Sequence, residues 1–191
     1  MKTLIASVCY MEKASRALAV LRLFLFPFVG SFILIITAID LAIAPFIAVY
    51  YVFRRFRQGA FFSLPAFFVQ QASNWLSFSL LLSDSRPPQA ANARIVCVPT
   101  VSGFELFFRP LFAIMFLFNE IIFAFFCSMA LFMQFFHILI FGKRRLGLHL
   151  FIEQFWLYFL EGGAYLLLGT DERPPLIPPT IRSENWHKLL E

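Results

Sequence analysis

From Ala17 to Phe53 the chain carries only two charged side chains, Arg22 and Asp40, and from Leu106 to Phe141 only Arg109 and Glu120, the latter beside Asn119. As a single straight helix either block would extend roughly 55 Å, close to twice the hydrocarbon thickness of a bilayer. Two alternatives follow: a short-legged or re-entrant hairpin, or one long, tilted and kinked helix. Basic residues bracket both blocks at each end, and under the positive-inside rule this favours the hairpin, which returns the chain to its starting side.

A different pattern follows each block. In Phe61 to Leu82, the polar residues Ser63, Gln70, Ser73, Asn74 and Ser77 recur at spacings that place them on one stripe of an otherwise apolar helix. In Leu148 to Leu168, His149, Glu153 and Glu161 fall on roughly one face. Trp75, Trp156, Tyr158 and Tyr165 are residue types that favour the membrane interface. The first helix can lie in the headgroup plane or press its stripe on a protein neighbour, and an interfacial helix is expected rather than a span, because two carboxylates and a histidine on a single lipid-facing span are costly. Each then meets a Pro-Pro step, Pro87-Pro88 or Pro174-Pro175, that stops helical structure. Ser83 to Gly103 reads as a polar linker and Thr170 to Glu191 as a Pro-rich tail, neither expected to hold a packed core.

The two patterns are in register. "SDSRPP" at Ser83 to Pro88 returns as "TDERPP" at Thr170 to Pro175, and the same offset of 87 sets Arg22 on Arg109, Arg57 on Arg144, Phe68 on Phe155, Leu80 on Leu167 and Asp84 on Asp171. The phrase ends a unit, and the unit occurs twice, a familiar way to build membrane proteins. The expected fold is all-α integral membrane: two tandem repeats, each a long apolar helix or helical hairpin followed by an amphipathic interfacial helix. The expected divisions are an N-terminal arm at 1–16, repeat one at 17–88, a linker at 89–105, repeat two at 106–175 and a polar tail at 176–191. The arm is read as retained, because Glu12 and the lack of a small-residue cleavage site argue against a signal peptide.

Composition agrees with immersion in lipid: 60% of residues are hydrophobic, 28 are Phe and only 14% are charged, far from the balance of a soluble domain. The net charge of +5 is gathered at the edges of the apolar blocks, which suits anionic headgroups and not the basic face that nucleic acid requires. Cys9, Cys97 and Cys127 are too scattered for a disulfide framework or a thiolate metal site.

The order of a basic-ended apolar block, "FGKRRLG" at Phe141 to Gly147, an aromatic amphipathic helix and "GTDERPPLIP" at Gly169 to Pro178 resembles a bacterial membrane family known as domain of unknown function 4389. Its repeats carry a loop like Phe-Thr-Gly-x-x-x-x-x-Leu and end in a Thr-Asp/Glu-Arg/Lys-x-Pro-like phrase. The second half matches through Gly142 and Thr170 to Pro175. The first half has Arg55 where the glycine would stand and ends in "SDSRPP", so it is the more divergent copy. The resemblance implies membrane repeats and brings no reaction, cofactor or catalytic residue.

The candidate sites are correspondingly sparse. Arg54, Arg55, Arg57, Lys143, Arg144 and Arg145 sit where each block meets its amphipathic helix and are candidates to hold an anionic lipid headgroup, such as that of cardiolipin. Asp40, Asn119 and Glu120 are the intramembrane polar candidates: the turn of a hairpin, a structural pairing, or an ion path. His137, His149 and His187 lack the matched depth of paired haem ligands, and Glu153 stands one helical turn from His149 as a hydrogen-bond partner. No metal, catalytic group or cofactor other than bound phospholipid is expected, and no phosphate loop, nucleophile elbow or zinc motif appears. The Phe-rich surface suits contact with lipid and with other integral membrane subunits. The expected role is a non-catalytic subunit that scaffolds or stabilises a larger complex in a bacterial or organellar inner membrane. The alternative is a small oligomeric transporter or channel using Asp40 or Glu120.

Overall fold

The computed structural model describes residues 4–8, 10–54, 60–85, 92–95 and 102–175. In chain order the elements are β1 (Leu4–Ser7), α1 (Arg16–Arg54), α2 (Ala60–Ser79), β2 (Asn92–Ile95), α3 (Gly103–Phe141) and α4 (Leu146–Leu166).

Each apolar block is one continuous helix of 39 residues, so the hairpin expectation is overturned. Neither block contains a Gly/Pro/Asn cluster able to reverse the chain. Asn119 and Glu120 sit mid-helix in α3, and Pro27, Pro45 and Pro110 are carried within helices. The bracketing basic residues do not enforce a hairpin, because Arg22, Arg109 and Arg144 are buried in protein contacts and do not mark aqueous faces.

The helices form two antiparallel hairpins: α2 turns back on α1 and α4 on α3, with α2 and α4 packed together between the long pair. The start of α1 lies at the end of α3. Ala14 N–H donates to the Gly142 carbonyl at 3.0 Å, Arg144 N–H to the Glu12 carbonyl at 2.7 Å and the Arg16 guanidinium to the Ile140 carbonyl at 3.0 Å. At the opposite pole the last turns of α1, through Ile47 and Tyr51, pack on Leu168 beside Leu106.

β1 and β2 pair antiparallel, Leu4 with Ile95, Ile5 with Arg94, Ala6 with Ala93 and Ser7 with Asn92. The ribbon rests on α2 and α4, and Leu4, Ala6, Val8, Ala93 and Ile95 join the main core around Trp156, Leu160, Val69 and Ala72. Arm and linker therefore do take part in a packed core. Alternation in a short strand puts every second side chain on the helices, a signal that four residues are too few to announce.

The expected interfacial helices are also more buried than their composition implied. Trp156, Tyr158 and Tyr165 are almost wholly enclosed. Ser73, Asn74 and Ser77 face inward while Ser63 and Gln70 stay exposed. The Trp156 indole N–H donates to the Ser73 carbonyl at 3.3 Å and the Ser77 hydroxyl to the Asn74 carbonyl at 3.1 Å. The polar stripe of α2 is mostly a helix-to-helix seam.

Candidate functional site

The most constructed places in the molecule are two arginine clasps. Arg22 enters from the second turn of α1. Its Nη2 donates to the Ser83 carbonyl at 2.6 Å and to Asp84 Oδ1 at 3.1 Å, and its guanidinium lies 4.2 Å over the Phe78 ring. Asp84 Oδ2 accepts the Ser15 N–H at 3.0 Å, ahead of α1. Eighty-seven positions on, Arg109 Nη2 donates to the Thr170 carbonyl at 3.1 Å and to Asp171 Oδ1 at 2.8 Å. Its Nη1 donates to the Tyr165 carbonyl, and the guanidinium stacks over the Tyr165 ring at 4.4 Å. Asp171 Oδ2 accepts the Ser102 N–H at 2.9 Å. Each clasp closes on a left-handed residue after the short helix, Leu81 at φ 60° and Leu168 at φ 65°. A leucine in that region is strained, and the strain turns the following carbonyls and aspartate towards the arginine.

The clasp explains the repeated phrase. Its aspartate joins the end of the short helix to the first turn of the long one, and the hydroxyl before it accepts a backbone N–H, Ser85 to Ser83 Oγ at 3.1 Å and Glu172 to Thr170 Oγ1 at 3.0 Å. Arginine and aspartate had been matched across the halves in sequence, but not to each other. Their shared offset was the signal.

The predicted headgroup cluster divides. Arg144 is fully buried: Nε donates to the Leu81 carbonyl at 2.7 Å, Nη1 to the carbonyls of Met11 and Lys13 at 2.8 and 3.1 Å, and Nη2 to Asp84. Its donors are all turned inward on protein acceptors, which leaves none of them facing a headgroup. Lys143 is exposed and pairs with Glu12 at 2.8 Å, which holds the Glu12 carboxyl below and the Lys143 amine above their usual ranges through that hydrogen bond. Arg145 is exposed. Arg55 and Arg57 lie outside the described residues, as does the side chain of Arg54.

Of the intramembrane polar candidates, the Asp40 side chain lies outside the described residues; Asn119 and Glu120 are half-buried on α3. Glu120 lines a cleft of about 400 Å³ with Arg109, Leu106, Ala48, Leu166 and Leu168. A second cleft of about 410 Å³ is lined by Arg22, Ala19, Phe135, Ser79 and Leu81, the residues 87 positions from those five. Both clefts lie between the start of one long helix and the end of the other. Their walls are almost wholly apolar.

His149 is buried with its ring against Tyr10, centroids 4.8 Å apart. Neither ring nitrogen has a hydrogen-bond partner among the described residues, so the expected bond to Glu153 is absent. Burial first, and the nearby Arg144 charge second, push the imidazole down to about 4. His137 instead meets the Lys143 carbonyl at 2.9 Å, at the end of α3; His187 lies outside the described residues. Among the described residues no three His, Cys, Asp or Glu side chains gather as a metal site.

Residues 104–177 match the model of a family described as Domain of unknown function (DUF4389). The match covers α3, α4 and the second clasp, and it supports the family for this half. No curated protein and no solved structure matches the chain.

Proposed function

We propose that this chain is a non-catalytic, membrane-embedded subunit, built from two tandem copies of one helix-and-clasp unit, that stabilises a larger membrane complex with anionic lipid at its basic edge. The observation that carries the reading is the surface of α3. Among the described residues it is long and apolar enough to cross a membrane, yet only 17% of its most apolar window is buried inside the protein. A core helix of a soluble protein would be mostly buried. Here Phe107, Leu111, Ile114, Phe118, Ile121 and Phe132 each leave more than 60% of their surface open, an apolar area far beyond what a solvated monomer carries.

The internal duplication is supported by helix limits, clasps, left-handed leucines and clefts that recur at one offset. The anionic-lipid contact is supported by Arg16, Lys143 and Arg145, all exposed where α1 begins and α3 ends. The partner is another integral subunit that shares the bilayer in which the Phe-rich helices are embedded. The reading places the protein in a bacterial or organellar inner membrane. Solubilisation in mild detergent followed by size-exclusion chromatography and mass spectrometry tests it: stoichiometric co-elution with larger integral proteins is expected, and a chain that elutes only with itself sinks the subunit role.

A second reading, a small oligomeric transporter, is favoured by one observation, the half-buried Glu120 lining a cleft beside Arg109. It requires an ion flux in proteoliposomes that Glu120→Gln abolishes.

A further inference from the structure

We infer that α1 and α3 lie along the membrane plane, embedded in one leaflet, with the β-ribbon on the water side. The inference rests on the membrane reading above and adds its geometry.

Chain topology comes first. Asp84 is fastened to the start of α1, which lies against the end of α3, while Ser102 is fastened to Asp171 at the start of α3. The 39 residues of α3 separate these poles by about 58 Å along its axis. The segment from Ser85 to Ser102 therefore passes from one pole to the other, and β2 lies on that path.

The ribbon's register and contacts then give its position. Ala6 pairs with Ala93, the residue 87 positions on, and the same offset exchanges the Ile5–Arg94 pair with the Ser7–Asn92 pair. The ribbon joins the core around Val69 and Ala72 of α2 and Trp156 of α4, the middles of the two short helices, and so lies between the poles. Were α1 and α3 to cross a bilayer, the ribbon would sit at its centre. Among the described residues the sheet has two strands and so two outer edges, whose alternate N–H and C=O groups find no ladder partner there. Open edges and irregular backbone facing lipid are not tolerated there, at several kcal/mol or so per unsatisfied group. Asn92 and Arg94 would accompany them to that depth. With the long helices in the plane, the same ribbon meets water or headgroups, and its edges cost little.

Helix length agrees. Exposed apolar residues run from Phe104 to Phe141, the whole of α3. Fitting about 58 Å into about 30 Å of hydrocarbon would need a tilt near 60°, outside the roughly 0–40° found for spanning helices. Lying flat, α3 offers its open sides to the acyl chains while α4 packs along it, as α2 packs along α1. The occupant of the Phe-rich surface is thus the hydrocarbon of a single leaflet, and the exposed Arg16, Lys143 and Arg145 at one pole and Arg173 at the other reach the same headgroup layer.

The test uses the full chain in sealed vesicles, with native cysteines replaced and single cysteines introduced at the poles as Arg145→Cys and Arg173→Cys, with Glu172→Cys as a second probe of the far pole. A membrane-impermeant maleimide is expected to reach both poles from the same side, and a lipid-depth quencher to place a label at Phe125→Cys within one leaflet. Labelling of the poles from opposite sides, or a Phe125 label at the bilayer centre, overturns the inference and leaves the membrane reading standing. Release of the whole chain by alkaline carbonate overturns both.

Discussion

The two poles of this molecule are closed by the same clasp and finished differently. At the pole where α1 begins, Asp84 serves two buried guanidinium groups, Arg22 and Arg144, and Arg144 also gathers the carbonyls of Met11, Lys13 and Leu81. At the pole where α3 begins, Asp171 serves Arg109, and a separate group is added outside it. Arg173 pairs with Glu105 at 2.8 Å, and the Tyr165 hydroxyl donates to Glu105 at 3.1 Å. Position 18, the counterpart of Glu105, is leucine, so this second group has no equivalent. The shared part, one arginine on one aspartate and a carbonyl, is what fastens a long helix to the end of a short one. What varies is the fastening to everything else.

The difference predicts unequal sensitivity. Asp84→Ala leaves two buried cations without their carboxylate and is expected to cost about 3–5 kcal/mol, read as a fall in the thermal unfolding midpoint in detergent. Asp171→Ala is expected to cost less, because it deprives one arginine rather than two of a carboxylate and that arginine keeps two carbonyl acceptors. Equal losses at the two poles would mean that Arg144 is held by its carbonyls alone.

Much of this arrangement was legible before any coordinates. The offset of 87 identified both arginines and both aspartates, and the apolar blocks were correctly bounded to within a residue or a few. What failed was the use of the bracketing charges to infer a hairpin, since the positive-inside rule counts cations as solvated and Arg22, Arg109 and Arg144 are not. The short strands failed for a different reason: their pairing is non-local, between residues some ninety apart, and four-residue alternation is too brief to be distinguished from loop. The burial of Trp156, Tyr158 and Tyr165 was invisible because an aromatic residue reads the same at an interface and in a core.

The short helices differ again at His149, whose counterpart at position 62 is Phe. The folded protein holds this imidazole near 4 against an ordinary 6.5, so the neutral form is favoured on folding. That contribution is fully present above about pH 6.5 and is lost as pH falls towards about 4, on the order of 2–3 kcal/mol for a shift of this size. His149→Phe, which installs the other half's residue type, is expected to flatten the stability profile across that window. An unchanged acid slope would show that the imidazole is not the group responsible.

At the positions where long and short helix approach most closely in the second half, the two halves carry opposite residue sizes. The second half pairs Phe116 with Gly162, and a Cβ at Gly162 would fall 1.7 Å from the Phe116 ring. The first half has Val29 and Trp75 at those positions: small on the long helix, large on the short one. Gly162→Ala is therefore expected to cost about 1–3 kcal/mol through overpacking, and Phe116→Val in the same chain to recover part of it. Additive losses in that double-mutant cycle would break the proposed complementarity.

The smallest effect is expected at the added group outside the second clasp. Arg173 is 42% exposed on its side chain and Glu105 17%, so their attraction competes with water and with the entropy of two long side chains. Glu105→Gln is expected to cost about 0.2–1 kcal/mol, the loss shrinking at high salt as the ion pair it removes is screened, while the Gln carbonyl still accepts from the Tyr165 hydroxyl. Glu105→Leu, which copies position 18, removes that acceptor as well and should cost slightly more. If it instead stabilises the chain, the outer group is a device for contact with another molecule, kept at some expense to the fold, and the first pole, which lacks it, is the purely structural end.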